Sequence, residues 1–195
     1  KTLVIIISQS GETADTLAAL RESKAKGATI LSVTNVVGSS IARESDNVFY
    51  TWAGPEIAVA ATKSFSNTLT IFYLLTLKFA RQRGMSKDEG AKFIAEIMKQ
   101  PRLVKEALAS NKERVCVIAK KYCGSKDFLF LGRGLLYPIA LEGALKLKEI
   151  SYVHAEAFAA GEIKHGPIAL VSENTPSVFL VSDDFLPEKV ISNIK

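Results

Sequence analysis

Hydroxyl, amide and glycine groups crowd the segment Ser8-Gln9-Ser10-Gly11-Glu12-Thr13, which follows directly on the apolar run Leu3-Val4-Ile5-Ile6-Ile7. The hydroxyls of Ser8, Ser10 and Thr13 can make short hydrogen bonds without adding charge. A helix opening after such a turn adds free N–H groups and the positive end of its dipole. Together these suit a small anion, a phosphate above all. The same residues also suit plain capping of a helix, because Ser and Thr are favoured N-caps. Composition leaves both readings open.

A second constellation lies at 138–150. Projected at 100° per residue, Glu142, Lys146 and Glu149 fall within about 60° of one another, with Ala140, Ala144 and Leu147 opposite. Ile139, Leu141, Leu145 and Ile150 crowd the flanks, the pattern of a helix buried nearly all round. Charges on a buried perimeter must be paired, or must face a cavity or a partner. One reading is an i,i+4 ion pair of Glu142 with Lys146 at a surface. The other holds a carboxylate and an ammonium against a polar ligand, the apolar flanks raising the pKa of Glu149 into the range of a proton shuttle.

His154 and His165 are the two histidines. His165 sits in Gly161-Glu162-Ile163-Lys164-His165-Gly166-Pro167, between turn signals, and is a candidate for proton transfer. His154 has no such setting and reads as a packing residue.

These residues need a scaffold, and the chain supplies one pattern for it. Apolar strands at 3–7, 29–33, 47–51, 128–131 and 177–181 alternate with helical segments, which predicts an α/β, doubly wound parallel sheet. The first strand, apolar throughout, reads as buried on both faces. Helices are expected at 13–26, closed by Gly27, at 41–44, at 57–82, at 86–122 with an interruption at Pro101, from Pro138, and from about Phe185. Ser86 and Glu89 have the spacing of a capping box. The organisation expected is a first lobe at 1–85, a helical connector at 86–125 and a second lobe at 126–195.

Bulk properties narrow the function. The 195 residues carry a net charge of +5 and are 48% hydrophobic, an ordinary globular balance. The lysines are scattered, so nucleic acid is not expected as a partner. No run approaches a membrane span, and no secretory signal pattern occurs. Gly132-Arg133-Gly134 lacks the third glycine of a dinucleotide fingerprint and no Walker motif is present. Cys116 and Cys123 match no metal spacing and read as buried free thiols of a reducing cytoplasm, so no metal is expected at them. The chain starts inside a strand and ends within a periodic segment, which reads as a fragment truncated at both ends.

Taken together, the motifs resemble the sugar isomerase (SIS) modules, flavodoxin-like lobes, of the glutamine–fructose-6-phosphate aminotransferase family. The matching stretches are Ser8-Gln9-Ser10-Gly11-Glu12-Thr13-Ala14-Asp15-Thr16, Val37-Gly38-Ser39-Ser40-Ile41-Ala42-Arg43-Glu44-Ser45-Asp46, Ala53-Gly54-Pro55-Glu56-Ile57, Leu141-Glu142-Gly143-Ala144-Leu145-Lys146-Leu147-Lys148-Glu149 and Lys164-His165-Gly166-Pro167. The resemblance implies that Ser8, Gln9, Ser10 and Thr13 hold the 6-phosphate of a sugar. It implies that Glu149 moves a proton between C1 and C2, with Lys146 its charged neighbour and Glu142 and Val59 lining the sugar. It implies that His165 assists ring opening, reaching across from the partner subunit of a homodimer. Ala61 stands where the family usually has Ser, which puts one hydroxyl contact in question. The family's imine-forming lysine and its glutaminase domain have no counterpart in this chain. Two further readings stay open: a deaminase or isomerase of amino-sugar or fructosamine phosphates, and a sugar-phosphate sensor without catalysis. On the leading reading, the 8–13 loop and the charged stripe serve one phosphorylated sugar.

Overall fold

The computed structural model describes residues 1–183 and 187–194. The chain divides into two compact units, Lys1–Val104 and Lys105–Lys195.

In the first unit, β-branched runs form β1 (Leu3–Ser8), β2 (Thr29–Thr34) and β3 (Asn47–Tyr50), a parallel sheet in the order β1-β2-β3. Ser8, Thr34 and Tyr50 lie side by side in the register, so the loops after all three strands leave one edge of the sheet. Ile6 and Ile30 meet Leu20 of α1 (Ala14–Ala25) and Ile41 of α2 (Ser40–Glu44) in the core of this unit. Each fully buried aliphatic contributes roughly 1.5–3 kcal/mol. Helix α1 ends as its sequence predicts: Gly27 at φ +80° lets its N–H and that of Ala28 bond back to Lys24 O and Ser23 O.

The other face of β1 is open. Leu3, Ile5 and Ile7 are 46%, 37% and 51% exposed, which corrects the expectation of a strand buried on both faces. Continuous apolarity marks a strand with two apolar faces, and the core of this unit takes up one, through Ile6 and part of Val4.

The expected helix at 57–82 begins later, as α3 (Lys63–Gln82). Glu56 Oε2 accepts a hydrogen bond from the Ser64 N–H and so satisfies a first-turn donor, leaving residues 57–62 irregular. Leu75 is buried on α3, while Tyr73, Leu74 and Phe79 are exposed.

Helix α4 (Lys87–Tyr122) opens with the predicted capping box: Glu89 N–H donates to Ser86 Oγ and Ser86 N–H to Glu89 Oε2. It runs through Pro101 without the expected interruption. Proline removes one N–H donor there, and the exposed flank leaves solvent to serve the freed carbonyl. Cys116 on α4 and Cys123 just after it are exposed, not buried as expected.

In the second unit, β4 (Asp127–Gly132), β5 (His154–Ala159) and β6 (Ser177–Phe179) are parallel in the order β5-β4-β6, with the central strand first in sequence. Helix α5 (Leu136–Ser151) presses Ala140 and Ala144 onto Phe128, Phe130, Ala155 and Ala157. Leu129 and Leu131 point to the opposite face and pack with Ala160 and with Ile163 of a short 3-10 turn, Ile163–His165, which a second, Pro167–Leu170, follows. Helix α6 spans Pro187–Ile194, and the start expected at Phe185 lies outside the described residues.

No helix among the described residues is long and apolar enough to cross a membrane.

Candidate functional site

The 8–13 loop sits at the carboxyl edge of the first unit's sheet, where ligands bind in open α/β folds. Ser8, the last residue of β1, is buried at 7% exposure, and its Oγ accepts the Gly11 N–H at 3.0 Å and lies 3.2 Å from Thr13 Oγ1. Ser10 Oγ accepts the Glu12 N–H at 3.2 Å. Thr13 is the N-cap of α1 but makes no side-chain capping bond. The capping alternative therefore fails at Thr13, and the first N–H groups of α1 have no intrahelical acceptor. The structure thus sets Ser8, Ser10 and Thr13 in one loop at the first turn of α1, where hydroxyl and N–H groups supply the donors.

Gly11 makes this turn possible. Its φ is +67°, and a Cβ there would lie 2.0 Å from Ser39 Oγ and 2.9 Å from Thr34 Oγ1. Gln9 contributes its carbonyl to the Asn35 N–H, while its side chain stays exposed. Asn35 is a junction that the residue types give no reason to single out. Its Oδ1 accepts from Thr51 Oγ1 and Ala53 N–H, and its Nδ2 donates to Gly54 O. It so ties the 8–13 loop to the segment after β3, which leads to Val59 and Ala61. Val59 is 87% exposed there and Ala61 is half-buried.

In the second unit, Lys146 Nζ lies 2.6 Å from Glu149 Oε2 and 3.4 Å from Glu142 Oε1. The three side chains are 21–27% exposed. The apolar flanks are more open: Leu141 is 45%, Leu145 41% and Ile150 68% exposed. This corrects the reading of α5 as buried all round; its alanine face alone is packed. The charged stripe is sheltered between its own apolar neighbours. Partial burial acts most strongly on the Lys146 ammonium and lowers its pKa. The hydrogen bond to Glu149 and the charges of Glu142 and Glu149 together outweigh it and hold the pKa above the ordinary lysine value.

His165 ends the first 3-10 turn, exposed, in a segment anchored by Ile163. Ile163 packs on the Leu129 and Leu131 face, α5 on the Phe128 and Phe130 face. Successive strand side chains point to opposite faces, so the sheet lies between the turn that carries His165 and the helix that carries Glu149. One chain does not bring these two together. His154 Nδ1 lies 3.0 Å from Asp127 Oδ1 in an exposed pair across the β4–β5 register, a structural setting. Gly132 is required by packing: a Cβ would meet Leu136 O at 2.2 Å.

Among the described residues no group of three or more His, Cys, Asp or Glu could hold a metal ion.

Residues 1–78 and 121–190 match the SIS domain. The chain is 55% identical over 195 residues to the glutamine–fructose-6-phosphate aminotransferase (isomerizing) of Clostridium tetani, covering all of this chain and 32% of that protein. It is 57% identical to the enzyme of the same name from Methanosarcina mazei, covering 31% of it. The chain therefore spans about a third of the length of these curated relatives. Among solved structures, the C-terminal domain of glucosamine-fructose-6-phosphate aminotransferase from Francisella tularensis superposes with a TM-score of 0.95 at 46% identity, over 98% of this chain and 55% of that one. A glucosamine-6-phosphate deaminase from Thermotoga maritima superposes with a TM-score of 0.75 at 28% identity, over 100% of this chain and 57% of that one.

Proposed function

We propose that this chain, which belongs to the SIS domain family, is the sugar-phosphate isomerase portion of a glutamine–fructose-6-phosphate aminotransferase. The whole protein converts fructose 6-phosphate and glutamine to glucosamine 6-phosphate and glutamate, feeding hexosamine synthesis in the cytoplasm. The observation that carries the reading is the uncharged donor nest of Ser8, Ser10 and Thr13 at the open first turn of α1. Such a nest binds a phosphate monoester through hydrogen bonds and a helix dipole. Kinship of 55–57% to aminotransferases of this name supports fructose 6-phosphate as the sugar.

In this reading Ser8, Gln9, Ser10 and Thr13 take the 6-phosphate, and Val59, Ala61 and Glu142 line the sugar. Glu149 takes a proton from C1 and returns it at C2, a general base becoming a general acid. Lys146 stays protonated beside it and serves the substrate oxygens as a donor. His165, on the far face of its own sheet, assists ring opening in a second copy of the chain, which supports a homodimer. Residues 86–125 act as the connector between the lobes at 1–85 and 126–195. The glutaminase domain and the imine-forming lysine belong to other parts of the whole protein, and the proton transfer needs no cofactor.

Glu149→Gln in the full-length protein tests this assignment. Glucosamine 6-phosphate formation is expected to fall by roughly 10²–10⁴-fold, with glutamine hydrolysis intact. Hexosamine production at the wild-type rate would remove Glu149 from its role. The deaminase alternative has the weaker kinship, 28% against 46% among the solved structures. It predicts ammonia release from glucosamine 6-phosphate without glutamine.

A further inference from the structure

Glu12 is the acidic side chain within the 8–13 loop. A carboxylate beside a bound anion repels it, so its presence calls for a compensating use. The side chain turns to α2, where its Oε1 accepts the Ser40 N–H at 2.7 Å. Beside this bond, the Ile41 N–H donates to Gly11 O at 3.0 Å. Gly11 closes directly on Ser39, whose Oγ is buried without a hydrogen-bond partner. The far end is fixed in turn, since Arg43 donates through Nη2 to Ser40 Oγ and through Nη1 to Gly38 O. Two successive loop residues are thus fastened to two successive residues of α2. Hydrogen bonds from the Ser40 backbone and side chain, with a smaller contribution from Arg43, hold the Glu12 carboxyl below its usual range against burial and Glu44.

We propose that Glu12 is a positioning residue for the phosphate loop: through Ser40 it pins the loop on α2 in the conformation that presents Ser8, Ser10 and Thr13. The same bond draws its charge away from the donors. The proposal rests on the reading of the 8–13 loop as the phosphate site. It separates charge from geometry, because glutamine keeps an acceptor oxygen at the same reach while alanine keeps none.

The test uses the full-length protein with fructose 6-phosphate as ligand. In Glu12→Ala the Kd and the KM for fructose 6-phosphate are expected to rise about 10-fold, the loss of one hydrogen bond, with the KM for glutamine unchanged. Glu12→Gln is expected to bind within about twofold of wild type or tighter, since it restores the bond without the charge. Unchanged affinity in Glu12→Ala overturns the proposal, and so does a Glu12→Gln as weak as Glu12→Ala. Amide hydrogen exchange at Ser40 and Ile41 reads the clamp without ligand: protection is expected to drop in Glu12→Ala and persist in Glu12→Gln. Equal protection in all three proteins overturns the clamp. Wild-type protein that binds no sugar phosphate refutes the phosphate reading instead, leaving the exchange result to decide the clamp.

Discussion

Lys146 Nζ lies 2.6 Å from Glu149 Oε2, one turn apart on a helix where Leu141 and Leu145 are more exposed than Glu142, Lys146 and Glu149. A cation shared between Glu149 and Glu142 stays protonated at neutral pH, which makes it a donor and not a base. Lys146→Met is expected to cut sugar turnover by roughly 10²-fold or more, with unchanged circular dichroism. Lys146→Arg, which keeps the charge, is expected to retain more activity than Lys146→Met. The folded pKa is raised, so the stabilisation is complete below the unfolded lysine value and disappears as pH rises through the folded one. Chemical denaturation at rising alkaline pH checks this sign: the stability difference between wild type and Lys146→Met should shrink only above the ordinary lysine pKa.

Gly11→Ala places a methyl group against Ser39 at a backbone angle that L-residues avoid. The left-handed conformation and the overpacking together are expected to cost about 2–4 kcal/mol, read as a lowered thermal midpoint. Ser39→Gly in the same background should recover part of the loss. A Gly11→Ala protein as stable as wild type would refute the close approach.

Ser86 and Glu89 satisfy each other's backbone donors at the start of α4. Ser86→Ala is expected to cost about 1 kcal/mol. Hydrogen bonds from the Ser86 side chain and backbone hold the Glu89 pKa down. A depressed folded pKa gives stability that is present above the unfolded value and lost as pH falls through the folded one. Denaturation of Glu89→Gln against wild type should therefore show its stability deficit at neutral pH and lose it in acid.

Glu149 and His165 lie on opposite sides of one sheet, so the proposed homodimer must supply them from different subunits. Glu149→Gln and His165→Ala are each expected to be impaired, the second mainly with the cyclic sugar. Mixed and reassembled, they should regain about a quarter of wild-type activity, because half the dimers are mixed and each of these holds one intact site. Absence of any recovery would place both residues in one subunit's site.

The sequence pattern announces the parallel sheets, the capping box and the hydroxyl loop, because each has a local cause: β-branched runs, a four-residue spacing, a cluster of donors after a strand. Strand β5 is absent from that pattern. Its alternation His154-Ala155-Glu156-Ala157-Phe158-Ala159 puts alanines inward, and alanine is a poor strand signal even where α5 needs its small size. The helix expected at 57–62 from apolarity does not form, because a side chain, Glu56, caps α3 from a distance. Exposed Cys116 and one-sided β1 share one reason: hydrophobicity reports a residue's preference for burial, and what covers it is another element's property. The roles of Glu12 and Asn35 depend on partners 28 and 16–19 residues away, beyond any local pattern.

Calorimetric titration of fructose 6-phosphate into the full-length protein decides whether the 8–13 loop holds the phosphate of the sugar. Ser10→Ala combined with Thr13→Ala is expected to weaken binding by about 10–100-fold, two charge-assisted hydrogen bonds, while unphosphorylated fructose binds both proteins equally weakly. Equal affinity of wild type and the double variant for fructose 6-phosphate would rule out the 8–13 loop as the phosphate site.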